Sequence, residues 1–296
     1  RELPPAEISF NVDEETYSAH IECLNSEFDI RGLNPDEFPS LPEVEVKKEF
    51  NIDRELLKEM IDEVKFTTAG EETQPSLTGA LMLVSGNIIR FVATNTYRLA
   101  YSQREIEDMP EEDISIIIPG DSLNELSHLL EGEGKANLRL DKSHVCFQFA
   151  DIVLISRLIE GDFPNYEHVM PDKYNTKVEV EKAEFHQAVK RASLVAREDS
   201  NVLQLEIDND IMIINTLETE SGKAHEELEI NMEGDRQKIN INAGYLLDVF
   251  RVLKKDTLDL ELIDNINPLS IKRLEGKEVY IYLIMPIRQE DERGSQ

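Results

Sequence analysis

Histidine is the side chain that most often performs acid–base or metal chemistry near neutral pH, and here its spacing suggests neither. The six histidines are scattered along the chain: His20, His128, His144, His168, His186 and His225. They form no His-Glu-x-x-His or other metal-binding spacing, so we expect no metal site and no cofactor. The sequence also lacks a phosphate-binding loop and a Gly-x-Ser-x-Gly nucleophile motif.

Carboxylates are the other candidates, because two acids that face each other in a cleft can hydrolyse a glycosidic bond. The chain has 61 acidic residues, so neighbouring carboxylates arise by chance. We interpret them as surface charge and expect a non-catalytic protein. A hydrolase is an alternative hypothesis, and turnover abolished by a single Asp or Glu substitution would identify it.

The balance of charge limits the partners. Only 31 Lys and Arg residues oppose the acids, which gives a formal net charge of −30. Nucleic-acid binding depends on Lys and Arg at phosphates, so this excess of acids disfavours it for the surface as a whole. A partner can still meet a local positive patch, so the positions of the basic residues decide whether the protein can bind nucleic acid.

Composition indicates a folded cytoplasmic protein. Cys23 and Cys146 lie in apolar, strand-like segments without a Cys-x-x-Cys partner, which is typical of buried, reduced thiols. The sequence contains no run of 18 apolar residues, and we expect no membrane partner. Its 296 residues are enough for two or three domains.

Basic residues recur on one face of three predicted helices, whereas the predicted helix from Asp121 to Leu130 has none. The residues of these faces are Arg54, Lys58 and Lys65; Lys190 and Arg197; and Arg251, Lys254 and Lys255. The first three fall within about 40° of one another on a helical projection. If the three faces meet one space, they would hold a polyanion through its phosphates, without reading its bases. Ordinary solvated helix faces are the alternative.

An internal repeat positions these helices. "FDIRGLNPDEFPSLPEV" and "VLISRLIEGDFPNYEHV" match at an offset of 125 residues, with Phe38-Pro39 on Phe163-Pro164. "ISIIIPGDSLNELSHLL" likewise matches "QKININAGYLLDVFRVL", each an alternating strand followed by a helix. Such a long period indicates repeated domains.

The repeat predicts an α+β fold in which each domain packs two helices on an antiparallel sheet. Two full units run over residues 45–171 and 172–288, and an acidic tail covers residues 289–296. Residues 1–44 match only the closing strands of a unit. We therefore expect three repeats, of which the first lacks its initial roughly 75–80 residues.

An unusual segment, "YIYLIMPIRQ", follows the last alternating strand. Met285, Pro286 and Ile287 stand where polar residues are usual. They either fill a core or form one wall of a site that grips a partner.

Several motifs together make the chain resemble the bacterial β sliding clamp family, the processivity subunits of the replicative DNA polymerase. These motifs are "SLTGALMLVSGNIIRFVATNTYRLA", "RLIEGDFPNYEHVMP", "ESGKAHEELEI", "YLLDVFRVLK" and "YIYLIMPIR". The resemblance implies three domains of one sliding-clamp fold and a head-to-tail homodimer ring when the chain is full length. Helices would line the hole, and duplex DNA would thread it.

The resemblance also implies an apolar cleft between the second and third domains. There the catalytic subunit of DNA polymerase III, the clamp loader and other proteins with a clamp-binding motif would insert a short peptide that contains Gln and Leu or Phe. Carried over residue by residue, the cleft comprises Leu77, Thr94, Thr96, Tyr97, Arg98, Leu99, Pro164, Val169, Leu283, Met285, Pro286, Ile287 and Arg288.

For the dimer interface the resemblance implies Phe28 from the first domain, facing Leu194, Val195 and acids around Glu220. Leu194 and Val195 could instead belong to an ordinary helix core. A peptide-binding scaffold that does not encircle DNA is the alternative function. In that case, charge reversal of the helix-face cations would leave function intact.

Overall fold

The computed structural model describes residues 2–38, 42, 44–70, 74–196, 201–216 and 222–288. The chain forms two compact units, residues 1–43 and 44–296. The predictions for Pro39, Arg197, Glu220 and the tail 289–296 lie outside the described residues.

The first unit contains one antiparallel sheet in the order β1-β2-β3. Its strands are β1 (Ser9–Asp13), β2 (Ser18–Cys23) and β3 (Ser26–Arg31). Cys23 is buried, as predicted, whereas Phe10, Phe28 and Ile30 are exposed. The apolar side chains of this small sheet are thus largely uncovered by the unit's own described residues.

The second unit repeats one order of elements. Its first half comprises β4 (Lys48–Asp53), α1 (Arg54–Val64), β5 (Gly79–Ser85), β6 (Ile88–Thr94), β7 (Arg98–Glu105), β8 (Ile114–Pro119), α2 (Gly120–Leu129), β9 (Lys135–Leu140), β10 (His144–Phe149) and β11 (Ile152–Arg157). Its second half comprises β12 (Thr176–Glu181), α3 (Lys182–Ala196), β13 (Val202–Asp208), β14 (Ile211–Thr216), β15 (His225–Glu229), β16 (Asn231–Gly234), β17 (Gln237–Asn242), α4 (Ala243–Val249), β18 (Thr257–Leu262), β19 (Leu269–Glu275) and β20 (Glu278–Ile284).

Two of the helices, α1 and α4, begin where a strand ends in a capping residue. Asp53 closes β4, and its carboxylate accepts the backbone N–H groups of Glu55 and Leu56 at 2.9 and 3.0 Å. Asn242 closes β17 and caps α4 in the same way. Asp and Asn satisfy the free amides of a helix's first turn, so the sequence fixes both starts.

The helices pack on the sheets through the predicted apolar positions. Leu57, Ile61 and Val64 of α1 are buried, and so are Leu246 and Val249 of α4. The apolar pattern predicted that α4 would continue to Leu253, but the structure ends it at Val249. The chain then tightens into turns with bonds such as Val252 N–H to the Val249 carbonyl at 3.2 Å.

One nine-stranded sheet joins the two halves, in the order β16-β12-β18-β19-β20-β7-β6-β5-β8. The join is the antiparallel pair of β20 and β7, which sets Leu283 opposite Leu99 and Ile284 opposite Arg98. Two four-stranded sheets, β11-β10-β9-β4 and β15-β14-β13-β17, complete the unit. The predicted α+β architecture, with two helices in each repeat on antiparallel sheets, is confirmed.

A buried ionic cluster crosses the same join. Glu63 of α1 accepts hydrogen bonds from Arg104 of β7 at 2.9 Å and from Ser102 at 2.6 Å. Arg273 of β19 also donates to Glu63. Glu63, Arg104 and Arg273 are all buried, and Glu59, 3.2 Å from Arg104 and 3.5 Å from Arg273, supplies a second carboxylate for the two guanidinium groups.

Candidate functional site

An apolar pocket lies where β6 and β20 end and β7 begins. Its volume is about 240 Å³. Nine of the residues predicted for the cleft line it: Leu77, Thr94, Thr96, Arg98, Leu99, Pro164, Val169, Leu283 and Met285. The pocket combines residues from both halves of the second unit and sits beside the β7–β20 pair.

The pocket has a buried floor and a more exposed rim. Leu77, Leu99 and Leu283 are almost fully buried. Val169 is exposed at the rim, and Met285 is 37% exposed. A floor of this kind can receive a Leu or Phe side chain, and the unbranched Met285 can adapt to its shape.

Three lining residues escaped the sequence prediction: Asn165, Tyr166 and Pro268. Asn165 and Tyr166 directly follow the predicted Pro164, so the run "FPNY" carried a usable signal. Tyr166 is largely buried against Tyr101, with the ring centroids 6.0 Å apart. Pro268 enters from the loop before β19, and no motif marked it.

A strained turn shapes one wall. Thr96, between β6 and β7, has a φ of 74°, which a β-branched residue rarely adopts. The Asn95 side chain accepts the N–H groups of Tyr97 and Arg98 at 3.2 and 3.1 Å, and the Thr94 hydroxyl donates to the Arg98 carbonyl at 2.7 Å. These bonds hold the turn against its strain.

The chain after β20 is anchored by its backbone. The Met285 N–H donates to the Tyr97 carbonyl at 2.8 Å, and the Ile287 N–H donates to the Asn240 carbonyl at 2.8 Å. Pro286, between them, has no N–H to donate. Four predicted cleft residues lie near this path but do not line the pocket: Tyr97, Pro286, Ile287 and Arg288.

A second concavity lies between α1 and the segment that follows α4, and four predicted DNA-facing residues line it: Lys58, Lys65, Arg251 and Lys254. These four cations thus share one space, as the helix-face hypothesis required. The concavity also contains five acids besides the buried Glu63: Glu55, Glu59, Asp62, Glu131 and Asp248.

Acids neutralise much of this concavity. Lys65 pairs with Asp62 at 2.7 Å, and Lys254 with Glu59 at 2.9 Å. Burial acts to raise the pKa of Glu59, but the hydrogen bond and charge of Lys254, with further positive charge nearby, outweigh it and lower this pKa. The positive face that the spacing predicted is therefore weaker along α1 than the sequence suggested.

The other predicted DNA-facing residues are dispersed. Arg54 lies with its guanidinium carbon 5.9 Å from the Phe149 ring, and Lys255 pairs with Glu275 at 2.7 Å. Lys190 is exposed on α3. Beside it, His186 has a pKa lowered by burial and then by the charges of Lys190 and neighbouring cations, which marks this end of α3 as electropositive.

Each half of the second unit matches the model of a known protein family. Residues 51–165 match the family model described as DNA polymerase III beta subunit, central domain, and residues 167–288 match its C-terminal domain. A curated protein named beta sliding clamp from Staphylococcus aureus is 31% identical over 291 residues, which cover 97% of this chain and 76% of that protein. The chain belongs to the β sliding clamp family.

Solved clamp structures share the fold. The DNA polymerase sliding clamp from Bacillus subtilis superposes with a TM-score of 0.88 at 30% identity, over 98% of this chain and 77% of that one. The DNA polymerase III beta subunit from Thermotoga maritima gives 0.86 at 27%, over 97% and 77%. The resemblance inferred from the sequence motifs is confirmed.

The residues predicted for a clamp dimer interface differ in environment. Leu194 on α3 is 64% exposed, so it is not the core residue that the alternative required, whereas Val195 is half-buried. Phe28 on β3 is exposed. On β15, Glu226 accepts two hydrogen bonds from Arg191 of α3, at 2.8 and 2.6 Å.

Two further features concern metal ions and membranes. Across the described ranges, no three His, Cys, Asp or Glu side chains are grouped as metal binding would need. The helices in those ranges are all too short or too polar for a bilayer crossing.

Proposed function

We propose that this chain is a non-catalytic, ring-forming processivity factor that encircles duplex DNA and tethers its partners through the apolar pocket. The pocket is the observation that carries the proposal, because it unites buried leucines from both halves of the second unit in one cavity. A ring of this kind makes release of DNA a topological event, so it needs no active site.

The pocket suits a short peptide with a Leu or Phe anchor. Leu77, Leu99 and Leu283 would desolvate that anchor, and anchors in such pockets carry most of the binding energy. The proposed partners are the catalytic subunit of DNA polymerase III, the clamp loader and other proteins with a clamp-binding motif. The proposed compartment is the bacterial cytoplasm, at the nucleoid.

Binding of a fluorescent peptide that carries a Gln-Leu-Phe motif tests the pocket. We expect micromolar binding by the wild-type chain, since this is typical of short linear motifs with one buried anchor. Leu99→Asp places a charge in the floor, and we expect a loss of affinity of about 30-fold or more, the size of an interface hot spot. Met285→Ala should weaken binding less, because Met285 lies at the rim.

Leu274→Ala is the matched control, since Leu274 is an exposed leucine of β19 that does not line the pocket. Its affinity should equal that of the wild type. Failure of the wild-type chain to bind, or equal binding by Leu99→Asp, would overturn the peptide-binding function.

Acid pairing of Lys65 and Lys254 favours a second candidate, a peptide-binding scaffold that does not encircle DNA. Charge reversal at Arg54, Lys58, Arg251 and Lys254 separates the two functions. For a clamp, we expect loader-dependent retention on nicked circular DNA to fall, with a marked salt dependence. Unchanged retention, or none by the wild type, would favour the scaffold.

A further inference from the structure

Arg98 is the charged residue of the pocket lining. Its side chain is 90% buried, with only 10% exposed. The guanidinium carbon lies 4.5 Å from the Tyr245 ring centroid and 5.5 Å from that of Phe66. Arg98 thus lines the pocket, while its charge is enclosed between the residues that follow α1 and those of α4.

The polar partners of Arg98 come from outside the pocket. Its Nη1 donates to Oδ2 of Asp248 at 2.5 Å, and its Nη2 donates to the Phe66 carbonyl at 2.5 Å. Its Nε is buried and has no hydrogen-bond partner among the described residues. Two hydrogen bonds thus fix the guanidinium plane, and within the described ranges Asp248 supplies the carboxylate that pairs with it.

A buried guanidinium needs this counter-charge. Burial acts to lower the pKa of Arg98, but Tyr282 and Asp248 outweigh it and raise this pKa. Without the carboxylate, the enclosed positive charge would be uncompensated. Rotation of Arg98 toward water would then disturb the start of β7, where Arg98 and Leu99 line the pocket.

We infer that Asp248 is a positioning residue for peptide recognition, which acts through Arg98 although it does not line the pocket. The inference rests on the proposed function. Asp248 sits in the last turn of α4, and its Oδ1 lies 3.4 Å from the exposed Arg251. This carboxylate therefore joins the pocket wall to the helix surface that is proposed to face DNA.

A double-mutant cycle with the fluorescent Gln-Leu-Phe peptide tests the inference. Asp248→Asn retains shape but removes the charge, and we expect about tenfold weaker binding, in line with loss of one charge-assisted hydrogen bond. Arg98→Ala should weaken binding to a similar degree. Because Asp248 acts through Arg98, the double variant should bind no more weakly than Arg98→Ala alone.

Asp259→Asn is the control. Asp259 lies on β18 and outside the pocket, and it pairs with Lys177 of β12 at 3.5 Å. It should bind like the wild type. Asp248→Glu retains the charge and should restore part of the affinity, which a general loss of folding would not allow. Thermal melting of each variant checks that the fold persists.

Other outcomes overturn the inference. If Leu99→Asp abolishes binding while Asp248→Asn stays within about twofold of the wild type, the pocket stands and the positioning function fails. Fully additive losses in the double variant would show that Asp248 acts independently of Arg98. Absence of binding by the wild-type chain would overturn the proposed function and this inference together.

Discussion

Cations predicted for the same surface have different neighbours, and the neighbours decide their electrostatic effect. Lys65, directly after α1, forms an ion pair with Asp62, whereas Lys190 of α3 is exposed beside His186. The pKa of His186 is lowered by burial first and then by the positive charges of Lys190, Lys182 and Arg251. The face of α3 is thus the better candidate for a phosphate contact than the face of α1.

Removal of Lys190 should change the titration of His186. Burial lowers the pKa of His186 first, and the charge of Lys190 lowers it further. Lys190→Gln removes that repulsion, so we expect the pKa to rise toward its ordinary value of 6.5, as followed by NMR of the imidazole. Lys142→Gln, in the first half of the second unit, serves as control. An unchanged pKa in Lys190→Gln would show that Lys190 contributes nothing, and that burial and the charges of Lys182 and Arg251 depress it.

Thr96 offers a second prediction for a single residue. A non-glycine residue in the left-handed region costs of the order of 1–3 kcal/mol, and glycine removes most of that cost. We expect Thr96→Gly to raise the free energy of unfolding by about 1 kcal/mol in denaturant titrations. Thr257→Gly, at an exposed position of β18, should lower it instead. Destabilisation by Thr96→Gly would mean that the hydroxyl or methyl group of Thr96 contributes more than the strain costs.

At the scale of elements, the join of β7 and β20 decides the site, because it brings the pocket's two sets of leucines together. The buried cluster of Glu63, Arg104 and Arg273 ties α1, β7 and β19 across that join. Removal of one member of a buried ionic cluster leaves the others uncompensated. The cluster therefore keeps the halves in one arrangement.

Glu63→Gln should destabilise the second unit strongly. We expect a loss of about 3 kcal/mol or more in the free energy of unfolding, because two buried guanidinium groups would lose their main counter-charge. Glu278→Gln is the control, since Glu278 is exposed and 3.7 Å from Arg104. It should cost less than about 0.5 kcal/mol, as surface ion pairs do. A loss below about 1 kcal/mol for Glu63→Gln would contradict the assigned role.

The sequence predicted elements better than their long-range pairing. The period of Leu57, Ile61 and Val64 indicated the buried face of α1, since helical spacing is a local signal. No local signal pairs β7 with β20, because an alternating strand does not specify its partner. The motif resemblance supplied most pocket residues, but Pro268 and the acid partners of the cations depend on packing that spacing cannot show.

At the scale of the whole molecule, the excess of acids opposes compaction. The 61 acids outnumber the 31 bases about two to one, so many carboxylates have no basic partner available. Net charge far from zero destabilises a folded chain through self-repulsion. The described ion pairs offset only part of this repulsion, because each pairs one acid with one of the few bases.

Salt should therefore stabilise this protein at neutral pH. Between about 10 and 150 mM NaCl the screening length falls from about 30 to about 8 Å, which weakens repulsion among distant acids more than it weakens the buried cluster around Glu63. We expect the melting temperature to rise by a few degrees, as about 1 kcal/mol of stabilisation gives in a chain of this size. The same titration near the isoelectric point of about 4.5 is the control, since the net repulsion vanishes there. A melting temperature that falls with salt at pH 7 would mean that local ion pairs outweigh the repulsion, and that the cations of α1 stabilise the fold through the acids beside them.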